Sequence, residues 1–419
     1  MQTLRLTQQV ADAFLPGPPD VLGIAVSGGG DSMALLHLMH VLCTLHGSKL
    51  RAVTVNHGLR AAAADEASMV ASYCATIGVP HDTLLLDDFD GKGNLQSAAR
   101  DARYARMADW ARGHEITTIA LGHTADDQAE TVLMRLARRS GVNGLAGIPP
   151  RVIREGITWV RPLLGAGRDE LRSYLRTQQI DWIEDPSNED LIYERVRARQ
   201  VLSHLGDLGI DADVLSDVAN QMSEARTALD WQTFIAAREI ATIDAGAVIL
   251  SERKLRILPD EIQRRLLVHA VNWISGSVYP ARRGAIANIM RGLRKGLAGT
   301  ADGVHARRIG GNIWVFRELN AVRDIECAPD DLWDRRWRLS PTEAEGNWQR
   351  VTVRALGSEG LQQCPNWRET ERPHEVLLST PAVWRGQTVV AAPLAGSSQK
   401  WHADVEGGTE TFFAALLTH

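Results

Sequence analysis

Three groups of residues in this chain could do chemistry. Ser27-Gly28-Gly29-Gly30-Asp31-Ser32 is a glycine run with a hydroxyl at each end and one carboxylate inside. Asp126, Asp127 and Glu130 bring carboxylates close together in one short stretch. Arg195, Arg197 and Arg199 come in quick succession. The glycine run suits an anion. Consecutive glycines allow backbone dihedrals closed to other residues, and let N–H groups come close to a ligand. Phosphate is the usual ligand of such a turn at a helix start. Ser27 and Ser32 add hydroxyl donors. A carboxylate beside phosphates would repel them. Asp31 therefore either holds a divalent cation that the phosphates share or caps the helix. Asp126 and Asp127 have the same two readings. They complement the macrodipole of a helix they open, or one of them shares that cation with Asp31.

These residues need elements to position them. Val21 to Val26 is apolar apart from Gly23 and reads as a buried parallel strand. Met33 to Leu45 reads as a helix, so the glycine run is a strand-to-helix turn. Further strands are expected at 50–56, 83–86, 117–121 and 158–164, with helices at 65–77, 95–111 and 169–178. This alternation predicts an α/β fold with a doubly wound parallel sheet. His57-Gly58-Leu59-Arg60 and Gly122-His123 then fall at strand carboxyl ends, where open α/β sheets bind ligands. Arg100 and Arg103 lie three apart on one helix and can act together. A lone histidine is usually structural; His57 and His123 gain interest from their position. The turn lacks the Gly-Lys-Ser/Thr of a Walker loop and the G-x-G-x-x-G of a dinucleotide fold.

The 419 residues exceed one ordinary core. We divide the chain at 1–210, 211–325 and 326–419: a nucleotide-binding domain, a helical domain and a small β-rich domain. The third has expected strands at 351–353, 375–378 and 388–392, and a loop from Gly396 to Gly408. Gly303 to Arg317 reads as a hairpin turning at Gly310-Gly311, and Ser140 to Pro150 as a Gly/Pro loop. No apolar run reaches the ~18 residues of a membrane span. Cys43, Cys74, Cys327 and Cys364 are scattered without a C-x-x-C, which argues for a reducing, cytoplasmic setting and against a zinc ribbon or iron–sulfur cluster. The formal net charge of −5 does not advertise nucleic-acid binding, but two segments are basic. Arg135 to Arg172 holds eight arginines and three acids, and Arg282 to Arg308 holds seven basic residues and one acid. Such stretches suit a phosphate-rich partner; the plainer alternatives are a solvated arginine face paired with carboxylates elsewhere for the first and an ordinary helical domain for the second.

SGGGDS after a strand resembles the signature of the PP-loop ATP pyrophosphatases. Asn56 to Arg60 (NHGLR), Ala98 to Tyr104 (AARDARY), Gly122 to Thr131 (GHTADDQAET), Arg161 to Leu164 (RPLL) and Glu184 to Asn188 (EDPSN) follow in order. Together they are similar to the bacterial tRNA(Ile)-lysidine synthetases, from about residue 20 to 200. Gln96 and Val196 depart from that family's pattern. The resemblance implies ATP and Mg²⁺ over Ser27 to Ser32, with His57 and His123 alongside. It implies Mg²⁺ on Asp31 and Asp127 and a reactive α-phosphate near Arg100 or Arg103. Asp126 and Glu130 become candidates for holding or deprotonating L-lysine. Arg195, Arg197 and Arg199 would contact a tRNA(Ile) with a CAU anticodon. The enzyme could be a monomer or a homodimer. A PP-loop tRNA thiolase is the nearest alternative, but it needs a cysteine pair. An amidotransferase-like ligase needs a glutaminase cysteine. A tRNA-binding protein with a dead nucleotide fold would have lost Asp31, Ser32 or the acidic pair.

Overall fold

The structure is a computed structural model that describes residues 2–56, 62–86, 95–184, 194–277, 279–342 and 350–417. His57, the rest of NHGLR after Asn56, and the last four residues of EDPSN lie outside them. The chain forms two compact units, 1–227 and 228–419.

In the first unit the order is α1 (Gln2–Asp12), β1 (Val21–Ala25), α2 (Gly30–His46), β2 (Lys49–Asn56), α3 (Ala62–Thr76), β3 (His81–Leu85), α4 (Leu95–Gly113), β4 (Thr118–Leu121), α5 (Ala125–Ala137), α6 (Val142–Leu145), β5 (Arg151–Arg154), β6 (Ile157–Val160), α7 (Arg168–Gln178) and α8 (Glu194–Leu205). The helix α9 (Ala212–Ile240) follows. The sheet runs β3-β2-β1-β4-β6-β5, and every neighbouring pair is parallel except the edge pair β5–β6. Alternate strand residues feed two cores. Leu22, Ile24, Leu50, Ala52 and Ala120 pack under α1, α2, α3 and α7. Ala25, Val53, Ile119 and Leu121 pack under α4 through Tyr104, Met107 and Trp110. A sheet covered on both faces explains why its strands read as continuous apolar runs.

The chain order reverses between β1 and β4, which are neighbours although α2 to α4 separate them in sequence. At such a switch point the loops leaving the two carboxyl ends part and open a crevice. Those loops are the glycine turn and Gly122 to Thr124. The expected loop at 140–150 includes the helical turn α6. Arg135 ties it down by donating to the Gly144 and Gly147 carbonyls at 2.8 and 2.7 Å.

In the second unit a five-stranded antiparallel sheet joins the helices α11 (Asp260–Ser275) and α12 (Arg283–Arg294), which follow the short α10 (Glu252–Ile257). Its order is β7 (Ala241–Asp244), β8 (Ala247–Ser251), β11 (Asn312–Arg317), β10 (Val304–Ile309), β9 (Gly299–Ala301). The β10–β11 hairpin turns where the sequence placed it, at Gly310-Gly311. Two expectations past residue 370 fail. Glu375 to Leu378, read as a strand, lies in a short helix, His374–Leu378, capped from Pro373. A Val-Leu-Leu run this short has no period to choose between strand and helix. Gly396 to Gly408, read as a loop, contains a strand, Trp401–Val405, paired antiparallel with Trp337–Pro341. Trp401 is buried there and His402 exposed, an alternation the flanking glycines and polar residues concealed.

Arg336 is buried in this unit. It donates to the Ile274 carbonyl at 3.0 Å and the Gly246 carbonyl at 2.9 Å, and its guanidinium lies 4.6 Å from the Trp273 ring. Burial pushes its pKa down to about 10, so it remains a cation at neutral pH. Ile274 is in the last turn of α11, where carbonyls lack helical partners and a cation meets the negative end of the dipole. Arg336→Leu strands both carbonyls. We expect it to lower unfolding stability by about 3 kcal/mol, read by urea denaturation against wild type.

Candidate active site

The glycine turn uses its three glycines differently. Gly28 alone has the left-handed backbone, with φ at 87°. Gly29 is extended, at φ −71° and ψ 157°, and caps α2, which begins at Gly30. The turn is closed from within. The Ser27 N–H donates to the Ser32 Oγ at 3.1 Å, and that hydroxyl donates to the Gly29 carbonyl at 2.9 Å. Ser32 thus shapes the loop, where the sequence reading offered it as a phosphate donor. A second strut comes from Ile183, whose N–H donates to the Gly28 carbonyl at 2.9 Å.

Gly122 governs how close α2 comes to β4. A Cβ at this position would sit 3.0 Å from the Ser32 Cα and 3.1 Å from the Ser32 N. Both are backbone atoms and cannot swing aside. Glycine at 122 therefore lets the acidic helix α5 start beside the glycine turn.

Helix α5 opens with a capping box: Asp127 Oδ2 accepts from the Thr124 N–H at 2.9 Å and from its hydroxyl at 3.2 Å. Asp126 Oδ2 accepts from the Arg168 N–H at 2.7 Å. Asp31 pairs with the Arg168 Nε at 3.3 Å. Glu130 is 1 % exposed; it accepts from Arg199 at 2.9 Å and faces the Arg168 guanidinium at 3.7 Å. Arg195 lies 3.7 Å from Asp127. The structure therefore brings Asp31, Asp126, Asp127 and Glu130 together, and adds Arg168, which the sequence reading missed. One signal was available. Arg168 is the first residue of α7, at the positive end of that helix's dipole, where a cation is unfavourable without another reason to be there.

The electrostatics follow from crowding. Burial pushes the Asp31 carboxyl above its usual range; Asp127 and Asp126 add to that and Arg168 opposes it. Burial likewise raises Glu130 against the pull of Arg199 and Arg168. Asp127 is buried too, yet its carboxyl sits below the usual range because His123, the Thr124 N–H and Arg195 favour its charge. Burial holds the His123 pKa down, and its Nδ1 has no hydrogen-bond partner among the described residues. Arg168 stays a strong cation: burial works against its charge, and Asp31, Asp126, Asp127 and Glu130 together outweigh burial.

A second cluster lies on α4. Arg100 is exposed and reaches the Tyr104 hydroxyl at 3.3 Å. Burial lowers the Arg103 pKa, and its Nε has no hydrogen-bond partner among the described residues. Arg161, from the RPLL motif, is buried, donates to the Pro149 carbonyl at 2.8 Å and has an orphan Nε. Buried guanidinium N–H groups without partners suit an anionic ligand.

The basic stretch from Arg135 to Arg172 is mostly partnered inside the first unit. Seven of its eight arginines are used inside the unit: Arg135 on α6 carbonyls, Arg138 on Glu194, Arg151 on the Ala13 carbonyl, Arg154 on Asp101, Arg161 and Arg168 as above, and Arg172 on Glu184. Four of the seven meet carboxylates and three meet backbone carbonyls. Arg195 and Arg199 likewise face the site carboxylates, while Arg197 is exposed.

A phosphate-shaped turn at the switch point of a doubly wound sheet, with carboxylates across from it, defines an ATP-using enzyme of the PP-loop class. The family model of the PP-loop domain matches residues 2–205. The chain belongs to the tRNA(Ile)-lysidine synthase family. It is 49% identical to the tRNA(Ile)-lysidine synthase of Ruegeria pomeroyi over 99% of this chain and 98% of that one. The enzyme of that name from Zymomonas mobilis is 38% identical, with 75% of this chain and 93% of that one covered. The one from Wolbachia pipientis wMel is 32% identical, with 89% and 88% covered.

Gly122→Ala tests the close approach. The added methyl meets backbone, so α2 and the glycine turn must shift. We expect ATP affinity to fall about tenfold or more with the protein still folded, measured by equilibrium ATP binding and thermal denaturation.

Proposed function

We propose that this protein joins L-lysine to C2 of the wobble cytidine in a tRNA(Ile) with a CAU anticodon, forming lysidine with release of AMP and pyrophosphate and so changing codon reading from AUG to AUA. The observation that carries this reading is the 49% identity to a tRNA(Ile)-lysidine synthase along essentially the whole of both chains. In the first step the cytidine O2 attacks the ATP α-phosphorus and the bond to the β-phosphate breaks. In the second the lysine ε-amine attacks C2, AMP departs with the oxygen, and the amine loses its proton to a base. The cytidine must leave its stack to reach the crevice.

The residues take roles accordingly. The N–H groups of Gly28 to Ser32 cradle the phosphates. Arg100 and Arg103 meet the α-phosphate or the adenylated base, supported by Arg161. Asp31, with Asp127 or Asp126, suits Mg²⁺: these are hard oxygen donors, and the neighbouring Asp127 and Asp126 add to the upward shift that burial gives Asp31. No cage of three or more acidic, histidine or cysteine side chains occurs among the described residues, as expected of an ion that keeps waters and phosphate oxygens as ligands. When bound, Mg²⁺ would neutralise charge on the departing pyrophosphate. Asp126 or Glu130 would receive the lysine ammonium. Glu130 Oε1 is taken by arginines, so its role is carried by Oε2, which is buried and has no partner among the described residues. We assign catalysis to 1–210 and tRNA binding to 211–325 and 326–419, with the exposed Arg282, Arg283, Arg291 and Lys295 on or beside α12 as phosphate contacts.

The thiols speak against thiolase chemistry, which needs a reactive thiolate. Burial pushes Cys43 and Cys74 up to about 11, and raises Cys327 and Cys364 as well. Thiolate at Cys43 and Cys74 forms only as pH rises toward about 11. At pH 8 iodoacetamide should leave both unmodified in the native protein and alkylate both after unfolding, read by peptide mass spectrometry.

The direct test is transfer of labelled lysine to a CAU-anticodon tRNA(Ile) transcript. We expect transfer that requires ATP and falls at least about a thousandfold in Asp31→Ala. ATP cleavage on tRNA without lysine transfer would reassign the second substrate.

A further inference from the structure

Arg168 sits where a cation between the site carboxylates would sit. Its Nε is 3.3 Å from Asp31, its guanidinium is 3.7 Å from Glu130, and its backbone N–H holds Asp126 at 2.7 Å. Its side chain is 19% exposed, so solvent does little to screen these charges. It is also at the wrong end of its own helix for a cation, which leaves the carboxylates as the reason for its place. We propose that Arg168 is a resident counter-ion that keeps free divalent cations off Asp31 until nucleotide phosphates arrive, so that metal enters the site with ATP and not before it. The inference rests on the ATP-dependent reading above and adds to it an order of binding.

The physical argument is one of competition for a single carboxylate. Asp31 without a counter-ion, buried beside Asp126 and Asp127, would attract a divalent ion directly. A guanidinium fixed against Asp31 repels that ion and occupies the acceptor oxygen it needs. Phosphates change the balance. They supply ligands for the metal and an alternative anionic partner for the guanidinium, so Arg168 can exchange Asp31 for a phosphate oxygen at little electrostatic cost. Glu130 keeps the other side of the guanidinium anchored during that exchange.

The test is Mn²⁺ binding to the nucleotide-free protein, followed by electron paramagnetic resonance. Wild type should bind weakly. Arg168→Gln should bind about tenfold or more tightly, because removing a like charge within about 4 Å of the ion is worth at least that factor even when screened. Arg168→Gln combined with Asp31→Asn should return to weak binding. Unchanged Mn²⁺ affinity in a folded Arg168→Gln overturns the proposal. A second readout follows wild type, in case Arg168→Gln does not fold. The Arg168 Nε–H resonance, assigned through its loss in Arg168→Lys, should shift when Mg²⁺ and a non-hydrolysable ATP analogue are added together and stay in place with Mg²⁺ alone. A shift with Mg²⁺ alone, or none with both, overturns the proposal. Lysine transfer to tRNA is assayed on the same preparations. Transfer with unaltered Mn²⁺ binding removes only the counter-ion role, whereas tighter Mn²⁺ binding in Arg168→Gln without transfer in wild type removes only the lysidine reading.

Discussion

The site depends on keeping four carboxylates together in a largely buried place. Asp31 comes from the start of one helix and Asp126, Asp127 and Glu130 from the start of another. Both helices follow neighbouring parallel strands, and Gly122 lets them nearly touch. An unpaired buried charge costs about 3–5 kcal/mol, so such a cluster cannot persist without cations around it. Arg168, Arg195 and Arg199 supply them from α7 and α8, which follow the last strand of that sheet in the chain. The placement of the later helices is therefore tied to the chemistry of the earlier turn.

The arginine-rich stretch shows the same dependence on partners distant in sequence. Eight arginines against three acids look like a surface for phosphates. In the fold their partners come from elsewhere: Asp31 and Asp101 from earlier elements, Glu194 from a later one, and carbonyls of the 140–150 segment and of Ala13. Local net charge counts only neighbours in sequence, whereas pairing depends on neighbours in space. The segment around α12 differs, since Arg282, Arg283, Arg291 and Lys295 remain exposed.

The parts legible in sequence were those with a local cause. Strand β1, the glycine turn and α2 announce themselves through apolar runs and glycines, and the structure keeps them together. The acidic helix start at Asp126 and Asp127 was readable for the same reason, though its capping box with Thr124 emerged only in the structure. The inward turn of Ser32 was not, because its partners depend on the φ and ψ of the loop. Arg168 was hidden because its partners lie 38 or more residues away in the chain. Past residue 370 the elements are too short for periodicity, and the strand at Trp401–Val405 owes its existence to a partner strand some 60 residues earlier.

The glycine turn is the generic part of this site, and by itself it specifies only an anion. What narrows its chemistry is the company it keeps. Glu130 is buried and shared between arginines from two helices, so it fixes where those arginines stand. On the other side of β4, α4 presents Arg103 with an Nε that has no hydrogen-bond partner among the described residues, and the same holds for the Nε of Arg161 just past β6. Buried donors left without partners are costly unless a ligand completes them. A site with a surplus of negative charge at one wall and unsatisfied positive charge at the other is suited to a substrate pair that carries both signs. A nucleotide phosphate and an ammonium-bearing amine are such a pair, and neither wall alone would select it.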